Sequence, residues 1–116
     1  MEQAHEALET ARLARDAGYF ARSVSNAYYA MLYGARAALS EEDRNAKTHT
    51  GTWNLFHETF VESRRFDPDL LSAARGAQKP REGADYDAQA FSRDEATETV
   101  EVAEQFIAAV TELIGD

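Results

Sequence analysis

Between residues 20 and 39, Phe20, Val24, Ala27, Tyr28, Met31, Leu32, Ala35, Ala38 and Leu39 recur three and four positions apart. That spacing stacks them on one side of an α-helix, because a turn takes 3.6 residues. A half-buried strand would need alternation at every second residue, and no segment of the chain shows a convincing case. The periodicity therefore predicts an all-α domain. On the other side of the same helix Arg22, Asn26, Tyr29, Tyr33 and Arg36 line up, rings and guanidinium groups with polar tips. Ala27, Ala30, Gly34, Ala35, Ala37 and Ala38 are small enough for neighbours to approach closely, so we expect a central helix packed from several sides.

The remaining helices follow from the same signals. Ala4, Leu8, Ala11 and the stem of Arg15 share a face between about Glu2 and Ala17, and Gly18 ends that helix before the next begins at Tyr19 and runs to about Ser40. After the polar stretch SEEDRNAKTHTG, a third helix is predicted from Thr50 or Gly51 to about Arg64, with Trp53, Phe56, Phe60 and Val61 on its apolar side. Asp67-Pro68 opens a short fourth helix, aspartate as cap and proline in the first turn. Gly76, Pro80 and Gly83 predict an irregular or partly helical stretch from Gly76 to Phe91. Ser92 followed by Glu95 is a capping box for a last helix to about Ile114, striped by Ala96, Val100, Ala103, Ile107, Val110 and Ile114.

The chain has 116 residues, enough for one domain to bury roughly two-thirds of its unfolded surface without a metal or a disulfide. It has no cysteine, an acidic N-terminal MEQAHEALE, and no run approaching the ~20 apolar residues that span a bilayer. We therefore expect a cytoplasmic protein with no membrane association. The net charge of -9 repels polyphosphate, so any contact with RNA has to be local.

Few motifs for chemistry are present. A glycine-rich phosphate loop, an HExxH pair and a cysteine nucleophile are all absent. His5, His49 and His57 include no pair three or four apart, which excludes a metal pair on one helix face, and neither a metal nor another cofactor is expected. Arg44 precedes His49 by five positions, a spacing that could serve phosphodiester cleavage, with arginine neutralising phosphoryl charge and histidine moving a proton. Three histidines among ten arginines produce close to one such match by accident, so Lys47, Thr48 and His49 read equally well as a solvated loop and helix start.

Taken in order, AGYFARSVSNAYYAMLYGARAAL, KTHTG with Phe56 and Phe60 beyond it, REGADYD and the final helix resemble the HEPN superfamily, in particular its small stand-alone members. The resemblance spans about residues 8 to 113. It implies an up-and-down bundle of four main helices plus a short extra one, usually a homodimer. It also implies association with minimal nucleotidyltransferases in toxin-antitoxin or defence-type loci. Many members are metal-independent ribonucleases whose arginine is followed four to six residues later by histidine, just before the last helix.

This chain has Arg81-Glu82-Gly83-Ala84-Asp85-Tyr86 at that place, with aspartate near the position of the expected histidine. An ionised aspartate cannot donate a proton as imidazolium does, so Arg81 and Asp85 predict an ion pair with Tyr86 packed beside it. The expected function is a dimeric module that binds nucleotide or RNA, or assembles with a nucleotidyltransferase-type protein. The alternative is a metal-independent ribonuclease using Arg81 with Asp85, or Arg44 with His49. Lys47, His49 and Arg81 are expected to form a small basic pocket, with Tyr86 and Arg44 as further binding residues. A dimer is expected to bury either the Tyr29, Tyr33 and Arg36 face or the last helix.

Overall fold

The computed structural model describes residues 1–85 and 90–115, with the side chains of 83–85 outside the description. Among the described residues the chain forms α1 (Glu2–Asp16), α2 (Phe20–Glu41), α3 (His49–Phe56), α4 (Pro68–Gly76), α5 (Gln78–Asp85) and α6 (Arg93–Ile114). A π-helical turn, His57–Val61, continues α3. Among those residues there is no β-strand, and the fold is the all-α bundle that the periodicity predicts.

Each boundary has a local cause. Gly18 sits at φ +87°, a left-handed conformation that costs glycine nothing, and it reverses the chain between α1 and α2. The Thr48 side chain accepts a hydrogen bond from the Gly51 amide at 2.9 Å, so α3 starts at His49, slightly earlier than predicted. Asp67 accepts from the Asp69 amide at 2.8 Å with Pro68 beginning α4, as the sequence anticipates. Ser92 and Glu95 close both halves of the capping box, at 3.1 and 2.8 Å.

The stretch predicted from Gly76 to Phe91 as irregular or partly helical contains α5. Pro80 stands in the first turn of that helix, where the missing amide hydrogen would have had no intrahelical acceptor, so it breaks nothing.

α2 is central, packed against α1, α3, α5 and α6. Arg12 pairs with Glu104 at 2.8 Å while Arg93 reaches the Arg15 carbonyl at 3.3 Å, so α6 runs antiparallel to α1. Gly34 faces α6 closely: a β-carbon there would lie 2.8 Å from Cδ1 of Ile107. Below them Trp53, Phe56, Phe60, Phe66 and Phe106 pack edge-on or tilted, with ring centres 4.8 to 5.9 Å apart. Those rings fix α3 and the π-turn against α6. Among the described residues no helix is long and apolar enough to cross a membrane.

Candidate functional site

Adjacent positions on α2 present Tyr28 and Tyr29 about 100° apart, so Tyr28 enters the core while Tyr29 stays half-buried on the second face. His49 begins α3, and Trp53 follows one turn later on the same side. Arg81 comes from α5, one turn beyond the buried Ala77. All three helices meet there.

The polar atoms form a chain. Nε1 of Trp53 donates to the Tyr28 hydroxyl at 3.1 Å, and that hydroxyl lies 3.2 Å from Nδ1 of His49. Nη2 of Arg81 approaches the same Nδ1 at 3.3 Å, and Nη1 donates to the Tyr29 hydroxyl at 3.3 Å. The guanidinium carbon also lies over both tyrosine rings, 5.1 Å from the centre of Tyr28 and 5.4 Å from that of Tyr29. Only 11% of the Arg81 side chain is exposed.

A guanidinium has hydrogens to give and no lone pair to offer, so at this contact Nδ1 must be the acceptor. Burial holds the Tyr28 phenol above its ordinary pKa, partly offset by the bond from Trp53 and by the positive charge of Arg81. It therefore remains a hydroxyl that can donate to His49.

This geometry brings together His49 and Arg81, two of the three residues expected in a basic pocket. The corner of Arg81 has no histidine within its own motif, yet an imidazole does stand beside the guanidinium, supplied by α3 from 32 positions earlier. His49 is correspondingly a half-buried member of a ring cluster, in contact with Tyr28 and Tyr29, while Lys47 and Thr48 are exposed. Arg44 does not pair with His49 in the way its spacing suggested. It reaches Thr59 Oγ1 at 3.3 Å and Glu58 at 3.6 Å, near the other end of the third helical segment. Glu82 is 3.8 Å from Arg81; the Asp85 side chain and Tyr86 lie outside the described residues, and so does the expected ion pair of Arg81 with Asp85.

Tyr29 and Tyr33 stack with centres 5.9 Å apart and planes inclined by 29°, both half-buried. Arg36 donates to Thr52 Oγ1 at 3.3 Å, and Thr52 donates to the Thr48 carbonyl at 2.8 Å, tying the polar face of α2 to the start of α3. Sequence reasoning assigned Tyr28 and Trp53 to the core alone. Their polar atoms, with His49 and Trp53 four positions apart, were the available signal. Among the described residues no three His, Cys, Asp or Glu side chains converge as metal ligands.

Comparison with known proteins agrees with this architecture. The HEPN domain family matches residues 1–113. A protein of Methanocaldococcus jannaschii named "Putative toxin MJ0142" is 30% identical over 98 residues, covering 84% of this chain and 67% of that one. The UPF0332 protein glr0978 of Gloeobacter violaceus is 35% identical over 86 residues, 74% of this chain and 68% of its own. A UPF0332 protein of Archaeoglobus fulgidus is 33% identical over 108 residues, 92% and 86% respectively. With a family match over nearly its whole length and a central helix, α3 and α5 converging on one arginine, the chain belongs to the HEPN domain family.

Proposed function

We propose that this protein is a phosphate-recognising HEPN module that binds RNA or a nucleotide without cutting it, in a toxin-type system with a nucleotidyltransferase-type partner. The observation that carries the binding reading is the contact between Arg81 and Nδ1 of His49. Nδ1 accepts from Arg81, which holds the imidazole beside the guanidinium, and the arginine's own motif carries Asp85 where a proton-shuttling histidine is expected. Arg81 adds a planar fork suited to phosphate, held in place by two tyrosine rings. The toxin designation of the Methanocaldococcus jannaschii relative supports the biological setting. A homodimer, built on the Tyr29, Tyr33 and Arg36 face or on α6, belongs to the same proposal.

The second reading, metal-independent cleavage, is favoured by the same pair, since arginine and histidine in contact are the groups such chemistry uses. Fluorescence binding of labelled single-stranded RNA, with a parallel metal-free cleavage assay, separates the two. We expect binding that falls at least tenfold in Arg81→Gln and in His49→Gln, and intact RNA throughout. Cleavage by the wild type that Arg81→Gln abolishes would replace the binding reading with the nuclease one.

A further inference from the structure

Next to this site the structure holds a cleft between α1 and α2 of about 550 Å³. Gln3, Ala4, Tyr33, Arg36, Ser40 and Glu41 are among the residues that line it. Two tyrosines link it to Arg81. The guanidinium lies over Tyr29 at 5.4 Å, Tyr29 stacks on Tyr33 at 5.9 Å, and Tyr33 forms part of the cleft wall. Tyr29 and Tyr33 thus form a stacked pair between Arg81 and the cleft.

We infer that the cleft is a nucleobase subsite, in which Tyr33 provides a stacking face for a base of single-stranded RNA whose phosphate engages Arg81. The inference rests on the phosphate-binding reading and specifies its substrate class. Its lining fits a base better than it fits a simple anion: Arg36 and Gln3 can donate, Glu41 can accept, Ser40 can do both, and Ala4 and Ala37 leave room for a flat ring. Stacking on an aromatic side chain is sequence-tolerant, because every base has a π face. A duplex does not fit this arrangement, since its bases are already stacked on one another. The chain's -9 charge points the same way, because a surface that repels long polyphosphate has to gain contact from base faces. This assignment gives Tyr33 to the ligand and leaves α6 as the surface for self-association.

The test compares the full-length wild type with Tyr33→Ala, Tyr33→Phe and Ala37→Phe, the last filling the cleft. Each is titrated with a short oligouridylate and with an abasic sugar-phosphate oligomer of equal length. We expect Tyr33→Ala and Ala37→Phe to weaken oligouridylate binding about tenfold. Tyr33→Phe should bind like the wild type, and all four proteins should bind the abasic oligomer equally. Unchanged oligouridylate binding in Tyr33→Ala, or equal losses for both oligomers, overturns the subsite while Arg81-dependent binding leaves the phosphate reading standing. Failure of the wild type to bind either oligomer overturns both. A wild-type dimer that Tyr33→Ala splits into monomers, by light scattering, assigns the cleft to a second copy and also overturns the subsite. Circular dichroism checks that each variant folds, and Ala37→Phe keeps the question open to decision if Tyr33→Ala does not.

Discussion

Nη2 of Arg81 lies 3.3 Å from Nδ1 of His49, a contact between the first residue of α3 and the middle of α5. It joins a buried donor chain that begins at Trp53, passes through the Tyr28 hydroxyl and ends on the imidazole. The predictions that follow for stability, and for the proposed binding, turn on that chain.

Removing the Tyr28 hydroxyl leaves Nε1 of a fully buried Trp53 with no acceptor. Tyr28→Phe is expected to destabilise the fold by about 1–3 kcal/mol, the cost of a buried donor left unsatisfied. A lower urea midpoint with an unchanged slope would show it. A midpoint equal to that of the wild type would mean that another acceptor serves Trp53.

The raised pKa of Tyr28 has a defined sign in pH dependence. The folded protein holds the phenolic hydrogen to higher pH than the unfolded chain, whose value is near 10.0. The contribution is therefore fully present below pH 10 and is lost as pH rises through the folded value. Phenolate absorbance from Tyr28 should rise at higher pH than an ordinary tyrosine's, and Tyr28→Phe should remove that late component and make the alkaline loss of stability shallower. A late component that persists in the variant belongs to another tyrosine.

Thr48 holds the helix end that carries His49. Thr48→Ala is expected to cost about 1 kcal/mol, whereas Thr48→Ser or Thr48→Asp should retain most of it by supplying the same acceptor. Thermal unfolding of the three variants compares them directly. RNA affinity should follow the same order, because the cap positions the imidazole.

At Gly34 two effects compete. Alanine there gains about 1 kcal/mol of helix propensity but pushes on the terminal methyl of Ile107, which can rotate. Gly34→Ala should therefore change stability little. Gly34→Val adds branched bulk between two buried helices and is expected to cost about 1–3 kcal/mol, read from the chemical-denaturation midpoint.

If RNA is bound through Arg81, His49 and stacked bases, few counterions are released. Each phosphate contact to a single strand contributes a slope of about -0.7 in log affinity against log salt. A slope no steeper than about -2 is expected, measured by repeating the RNA titration over a salt series. A much steeper dependence would place the RNA on a broad basic surface instead.

The helices were largely legible because their causes are local. The stripe from Phe20 to Leu39, the turn at Gly18, the cap and proline at Asp67-Pro68 and the Ser92–Glu95 box each act within about one helical turn. α5 was only partly legible, because Pro80 and Gly83 are breakers in most settings and only their place in a short helix makes them tolerable. The site was half legible. Arg81 and His49 stood out as residue types suited to phosphate and were expected in one pocket with Lys47, but their contact crosses 32 positions, and spacing alone offered Arg44 as a rival partner.

By itself, then, the sequence determined an all-α chain, its central small-residue helix and most of its caps, since periodicity and capping are interactions between near neighbours. The tertiary structure decided which imidazole meets the guanidinium. α3 and α5 both pack against α2, and only that shared support brings His49, Arg81 and the two tyrosines into one cluster. Contacts of that kind depend on how helices are placed in space, which no spacing along the chain encodes.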